Sequence, residues 1–265
     1  MGYQAGYSNT TGYITAVGAG ALLSNTTGGG NFAFGGTVPG SYNAALYANT
    51  TGANNAAFAG GALQANTTGG SNAAFGVGAL YNNTTASSNT AVGYQAGYSN
   101  TTGSLNTAIG NQALYANTTA SSNTAVGHIS LTNNTTGSGN TSVGANSLQS
   151  NTTGSSHVAV GLQALYSNTT GAYNTAIGYT ALLSNTTGSR SIAMGYQAGY
   201  SNTTGAINAI GDGALYSNTT GAGNVALGGG NNTALYPSLY ANTTGNYNTA
   251  VGMGSLGQKI GRAHV

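Results

Sequence analysis

Side chains that could carry acid–base or metal chemistry are few and scattered along this chain. The sequence has one acid, Asp212, which is too few for hydrolysis by paired carboxylates. A Ser-His-Asp triad needs that acid beside a histidine, but His128 and His157 lie far from it in an array of short repeats. Together with Arg190, each of these residues replaces a small or polar residue of the repeat, so we interpret all four as solvated surface substitutions. The sequence predicts a protein that is not an enzyme and holds no cofactor or metal ion.

The polar group that does recur is Asn-Thr-Thr. It matches the acceptor pattern for N-linked glycosylation, so its copies would carry a dense glycan coat. The alternative is a ladder in which the asparagines of successive repeats hydrogen-bond to one another. A third hypothesis is that the threonines bind ice. The objection to it is that consecutive threonines of a strand would face opposite sides. The asparagines are Asn9, Asn25, Asn49, Asn66, Asn83, Asn100, Asn117, Asn134, Asn151, Asn168, Asn185, Asn202, Asn218 and Asn242.

Two further features are candidates for recognition. A column of tyrosines either forms an exposed row that stacks on sugars of a host surface or packs as a ladder between chains. The candidate surface tyrosines are Tyr81, Tyr98, Tyr115, Tyr166, Tyr200 and Tyr216. Two repeats are each longer than the others and hold the two prolines of the chain, Pro39 and Pro237. Loops on a rigid scaffold often carry binding residues, so these are candidate binding loops, with sequence drift as the alternative.

The spacing of Asn-Thr-Thr predicts the fold that must position these residues. The repeat is 17 residues long and reads Thr-Ala-Val-Gly-x-Gln-Ala-Leu-Tyr-Ser-Asn-Thr-Thr-Gly-x-x-Asn. This unit is too short for a helical-pair repeat. Thr-Ala-Val suits one strand and Gln-Ala-Leu-Tyr a second, with Asn-Thr-Thr-Gly as a turn. We therefore predict an all-β solenoid or parallel β-roll, with about fourteen coils in a single array over residues 1–256.

Two apolar columns are expected to form the core. The third repeat position carries Val, Ile, Phe, Met or Leu, and the eighth carries Leu with Gly97 and Gly199 as exceptions. The opposite face of the first strand, with residues such as Ala125 and Gly127, would let another chain approach closely. This pattern predicts a homotrimer. The alternative is that the alanines fill the narrow interior of a single-chain solenoid.

Composition excludes several other classes of protein. Charged residues make up 2% of the 265-residue chain, against about 25% in typical soluble proteins. A formal net charge of +2 provides no basic patch for nucleic acid. No apolar stretch approaches the ~20 residues of a membrane-spanning helix, so we expect no membrane insertion in this segment.

The last nine residues, 257–265, lie outside the repeat. Residues 260–265 read as one translation of a common sequencing-adapter string. We therefore expect these six residues to be an artefact of a short environmental DNA fragment, with a natural tail as the alternative.

The repeat itself resembles known sequences. Asn-Thr-Ala-Val-Gly-x-x-Ala-Leu, seen at residues 89–97 with Gly97 in place of Leu and at 174–182 with Ile177, resembles the head repeats of trimeric autotransporter adhesins and repeats of some phage tail fibres. The resemblance implies a left-handed parallel β-roll, three chains wide. It predicts a structural fibre segment at a cell surface or on a virion, outside the cell, with host-surface glycans as partners. The alternative is a self-assembling, glycosylated extracellular filament protein.

Overall fold

Fourteen short β-strands, one in each repeat, form the regular structure of the part of the chain that is described. The computed structural model describes residues 2–230 and 236–257, and this part contains no helix. The fold is an all-β parallel β-solenoid with about 13 coils of roughly 17 residues. The predicted fold class is thus confirmed, with about one coil fewer than the motif count suggested. Most of the final segment, residues 258–265, lies outside the described residues, so the expected artefact at 260–265 is not described.

The chain divides into two compact units, Met1–Thr136 and Gly137–Val265. The strands of the first unit are β1 (Ile14–Val17), β2 (Asn31–Phe34), β3 (Ala56–Phe58), β4 (Ala73–Phe75), β5 (Thr90–Val92), β6 (Thr107–Ile109) and β7 (Thr124–Val126). Those of the second unit are β8 (Thr141–Val143), β9 (Val158–Val160), β10 (Thr175–Ile177), β11 (Ile192–Met194), β12 (Ile207–Ile210), β13 (Asn224–Leu227) and β14 (Thr249–Val251).

Within each unit the strands pair in parallel, each with the equivalent strand of the next coil. Thr107 of β6 lies beside Thr124 of β7, and Ile109 lies beside Val126. Where one repeat is a residue shorter, the strand register is kept, so that Ile192 lies beside Asn208. Identical repeat positions therefore stack above one another, and every column in the sequence becomes a row on the structure.

The segment predicted as a second strand forms consecutive turns instead. In Gln112–Tyr115, the φ angles of Gln112 and Leu114 are 52° and 54°, both in the left-handed region. Turn amides still bond to neighbouring coils, since Gln112 N–H donates to Tyr94 O at 2.9 Å and Leu114 N–H donates to Ser130 O at 3.0 Å. The strand prediction was wrong because these hydrogen bonds between coils replace a regular ladder and compensate for the unfavourable backbone.

Glycine at the fourth position follows every strand except β3, where Ala59 takes its place with a φ of 116°. Gly110 has a φ of 132°, and a Cβ added there would lie 2.4 Å from the carbonyl oxygen of Gly127 in the next coil. A side chain is excluded both by this conformation and by the close approach of the neighbouring backbone.

The core of the solenoid is made of alanine and leucine. The eighth-position leucines are buried, as predicted, except Leu256, which is half-buried. They are Leu22, Leu46, Leu63, Leu80, Leu114, Leu131, Leu148, Leu165, Leu182, Leu215 and Leu239. The alanines of the strands also point inward, and Ala91 in β5 is fully buried. The interior is narrow, and small side chains suffice to fill it.

The third-position column lies outside this core, which corrects our prediction. Val92 is 39% exposed although its neighbour Ala91 is fully buried, because successive side chains of a strand point to opposite faces. The idea that the alanines form a contact face between chains is wrong for the same reason. The alternative, in which they fill the interior of one chain, is what the structure shows.

Two substitutions in β5 test whether the alanine or the third-position residue of the strand belongs to the core. We expect Ala91→Leu to lower the free energy of unfolding by about 1–3 kcal/mol, because a larger side chain overpacks the interior. Val92→Ala should change it by no more than about 0.5 kcal/mol, because this side chain is partly solvated. Chemical denaturation followed by circular dichroism measures both, and a larger loss in Val92→Ala would contradict the assignment of the core.

Candidate functional site

The asparagines of Asn-Thr-Thr form a ladder inside each unit. Asn100 Nδ2 donates to Asn83 Oδ1 at 2.9 Å, and Asn117 Nδ2 donates to Asn100 Oδ1 at 2.8 Å. The same contact recurs at 2.7–3.2 Å from Asn9 to Asn134 in the first unit and from Asn151 to Asn242 in the second. Each coil thereby satisfies the amide of the next.

The second amide hydrogen of each asparagine closes its own turn. Asn100 Nδ2 also donates to Gly103 O at 2.9 Å. Twelve of the fourteen asparagines are at most 1% exposed, the exceptions being Asn9 and Asn242. Both amide hydrogens are thus used in the folded chain, and glycosylation of these twelve side chains would require this part of the fold to open.

The first threonine of the motif is also used within the fold. Thr101 Oγ1 donates to Thr118 O of the next coil at 2.9 Å. The second threonine, such as Thr102, is exposed, whereas the first is half-buried except at Thr10 and Thr243. Along most of the array the motif therefore presents one row of exposed threonine side chains per unit.

A second asparagine column lies just before the strands and is interrupted by His157. Asn72 N–H donates to Asn55 Oδ1 at 2.9 Å, and Asn72 Nδ2 donates to the carbonyl of Ala86 at 2.9 Å. His157 takes this place with 1% exposure. Its ring Nδ1 accepts from the backbone N–H of Asn174 at 3.2 Å, and the backbone N–H of His157 donates to Asn140 Oδ1 at 3.0 Å. The prediction of a solvated His157 was wrong because a neutral imidazole reproduces the acceptor of the asparagine amide.

The remaining isolated polar residues lie on the surface as predicted. His128, Arg190 and Asp212 are exposed, and the Arg190 guanidinium lies 5.9 Å from the ring centroid of Tyr173. The described part of the chain has no group of three or more His, Cys, Asp or Glu side chains suited to a metal ion. In that same part, we find no helix with the length and apolar character needed to cross a membrane.

The tyrosine column forms stacks between successive coils of one chain. Tyr98 stacks on Tyr81 with ring centroids 4.9 Å apart, and on Tyr115 at 5.2 Å. Tyr216 stacks in the same way on Tyr200 at 4.9 Å. These tyrosines and Tyr166 are half-buried. The pKa of Tyr98 is raised above its ordinary value, mainly by burial and to a smaller extent by the neighbouring Tyr81, and its hydroxyl is neutral at physiological pH.

The segment that contains Pro39, residues 36–43, will be called the Pro39 loop. It borders a cavity of about 240 Å³ that is open to solvent, lined by Thr37, Val38, Gly40, Ser41, Tyr42, Asn43 and Tyr81. The second candidate loop is described only in part, because residues 231–235 lie outside the described ranges. In this loop Pro237 follows Tyr236, and the ring centroids of Tyr236 and Tyr240 lie 5.8 Å apart.

The surface feature that our sequence analysis missed is an exposed apolar row. In the first unit it consists of Val17, Phe34, Phe58, Phe75, Val92, Ile109 and Val126, and Phe58 stacks on Phe34 and Phe75 at 5.0 and 4.7 Å. In the second unit, Ile177, Met194, Ile210 and Leu227 are each 37–40% exposed. We call these side chains the apolar row. The column was visible in the sequence, but alternation alone does not tell the inner face of a strand from the outer.

One pair of substitutions tests whether Asn-Thr-Thr serves the fold. Asn100→Asp places an acceptor against Asn83 Oδ1 and Gly103 O, so we expect a loss of about 3 kcal/mol or more in the free energy of unfolding. Thr102→Ala also removes the glycosylation pattern, but it changes an exposed side chain and should cost no more than about 0.5 kcal/mol. Equal losses in the two variants would contradict a structural role for the ladder.

The burial of His157 predicts a pH-dependent stability. Burial lowers its pKa to about 4 from 6.5, although hydrogen bonds to the backbone of Gly171 and Asn174 partly oppose this. Because the unfolded chain takes up the proton first, the stabilisation is complete above pH 6.5 and is lost as the pH falls toward 4.

We expect the native chain to lose up to about 3 kcal/mol between pH 7 and pH 4 relative to His157→Asn, which has no titrating group there. His128→Asn is the control, and it should follow the native chain because His128 is exposed. Denaturation midpoints across this pH range measure the difference, and parallel curves for the native chain and His157→Asn would refute it.

Comparison with known proteins leaves the family of the chain open, since no protein-family model, curated protein or solved structure matches it.

Proposed function

We propose that this chain is a structural fibre segment of a surface adhesin or a phage tail fibre, located outside the cell or on a virion. The Asn-Thr-Ala-Val-Gly pattern supports this proposal through its resemblance to such repeats. The parallel solenoid supports it too, because stacked coils hold surface features at regular intervals. In this role the protein is not an enzyme, and it acts by holding binding surfaces in place.

The observation that carries the proposal is the apolar row. A fibre segment of this kind must associate with further copies, and the row provides a surface for that contact. Val92 and Ile109 on neighbouring strands are each 39% exposed, and no strand contains a charged residue. Large exposed apolar patches often mark protein–protein contacts. We propose a homotrimer in which these rows meet.

The chemistry of the outer surface supports attachment to glycans. Tyr98 and Tyr216 are half-buried in the stacks and keep neutral hydroxyl groups, since burial raises the pKa of each. Rings with a polar tip suit wet, uncharged surfaces such as sugars. Within the described residues the charged side chains are Arg190 and Asp212 alone, so charge contributes little to recognition.

A self-assembling extracellular filament is the second candidate. The same apolar row favours it, because a row that repeats with every coil suits lateral contacts between many copies as well as between three. The two candidates differ in the size of the assembly. Glycosylation is not needed for either, since the ladder already gives the asparagines a role in the fold.

The association state is the experiment that tests the proposal. We expect native mass spectrometry and light scattering to give three chains per particle. Val92→Lys with Ile109→Lys should yield monomers, because two charges per chain would be desolvated in the contact. Leu105→Lys is the matched control, because this apolar residue is 63% exposed and lies outside the strands. Its variant should assemble like the native chain.

Three results would change the conclusion. A monomeric native chain would overturn the proposal. Continuous filaments would favour the second candidate over a discrete fibre segment. Loss of assembly in Leu105→Lys but not in the double variant would move the contact away from the apolar row.

A further inference from the structure

The Pro39 loop is held in a defined position on the first unit. Val38 and Tyr42 form an antiparallel bridge, with Val38 N–H donating to Tyr42 O at 2.7 Å. The Tyr42 ring packs edge-on against Tyr81 with centroids 5.6 Å apart, and Gln95 Nε2 donates to the Tyr42 hydroxyl at 3.1 Å. At the end of the loop, Asn43 N–H donates to Gln64 Oε1 at 2.7 Å.

The coils beneath the loop are adapted to it. The sixth repeat position is Gln in several coils, including Gln95, but it is glycine at Gly61 and Gly78. A Cβ on Gly61 would lie 2.6 Å from Tyr42 Cδ1, and one on Gly60 would lie 2.7 Å from Val38 Cγ2. Side chains at these positions would displace the loop. The close fit of Val38 and Tyr42 against Gly60 and Gly61 favours a specific position for the loop over sequence drift, although glycine also takes the sixth position at Gly254, where no atom lies near it.

The cavity under the loop has the chemistry of a site for a polyhydroxylated ligand. Hydroxyl groups come from Thr37, Ser41, Tyr42 and Tyr81, and Asn43 adds an amide. Such groups can both donate and accept hydrogen bonds, as sugar hydroxyls do. The two tyrosine rings supply apolar surface for the carbon–hydrogen face of a sugar ring. No charged residue lines the cavity, which disfavours anionic ligands.

The size of the cavity limits the ligand further. Its volume of about 240 Å³ is below the ~300–1,000 Å³ of sites for drug-sized ligands. This is enough for one sugar residue with the remainder of the glycan outside. Because Ser41 and Asn43 are exposed at the surface, a chain of sugars could continue into solvent.

We propose that the cavity between the Pro39 loop and Tyr81 binds one neutral sugar residue of a larger glycan. This inference rests on the proposed attachment function and names the place on the chain where attachment occurs. The rings of Tyr42 and Tyr81 contact the sugar ring, and Asn43 and Ser41 bind its hydroxyl groups. The Tyr81 hydroxyl, which accepts from Gln64 Nε2 at 2.9 Å, donates to a further sugar oxygen.

The test uses the full chain with D-glucose, D-galactose and N-acetyl-D-glucosamine as separate probes. We expect saturation-transfer NMR to show binding of at least one, with a Kd on the order of 1 mM, as is reasonable for a single sugar with few contacts. Asn43→Ala and Tyr81→Phe should each weaken binding at least about fivefold, since each removes one hydrogen-bonding group. Tyr179→Phe, in a tyrosine stack of the second unit, is the matched control for Tyr81→Phe, and Asn111→Ala is the control for an exposed asparagine.

The outcomes separate this inference from the proposed function. Binding that is unchanged in Asn43→Ala and Tyr81→Phe would overturn the site but leave glycan attachment elsewhere on the chain. No binding of any probe would overturn the inference, while the association state would still decide the proposed fibre role. Preferential binding of N-acetylneuraminic acid would overturn the assignment to neutral sugars.

Discussion

The buried amide is the group on which this structure depends. An asparagine side chain shielded from water must use its donors and its acceptor within the protein, or the fold loses several kcal/mol for each one. Here Asn100 donates to Asn83 and to Gly103 and accepts from Asn117. An identical coil above and below is the simplest source of such partners. This requirement explains why coils of different length keep their asparagines aligned.

The narrow interior is the second constraint, and it decides what remains on the surface. With Ala91 and Leu114 filling the inside of the coil, the larger β-branched and aromatic residues of the strands must face outward. The strands thus bury alanine and expose their larger apolar side chains, contrary to the usual expectation for a core, while the large buried side chains are the leucines of the turns. The apolar row follows from this inversion, and so does our placement of the contact between copies.

The interruptions of the pattern show how the constraints act locally. His157 enters a buried asparagine column because a neutral imidazole accepts from the Asn174 N–H as an amide oxygen would. The extra length of the Pro39 loop is accommodated outside the stack, where Gly60 and Gly61 leave room for Val38 and Tyr42. In both cases, a departure in the sequence fits against the adjacent coil, which is difficult to recognise before the coils are stacked.

The sequence by itself determined the period, the all-β solenoid, the buried leucine column and the turns at Asn-Thr-Thr. These follow from local residue preferences and from the strict repetition of 17 residues. Only the tertiary structure decided that Gln112–Tyr115 forms turns, that Val92 faces outward and that His157 is buried. Each of these depends on which coil lies next to which and on how wide the interior is. Alternation along a strand defines two faces, but the width of the interior determines which of them is inside.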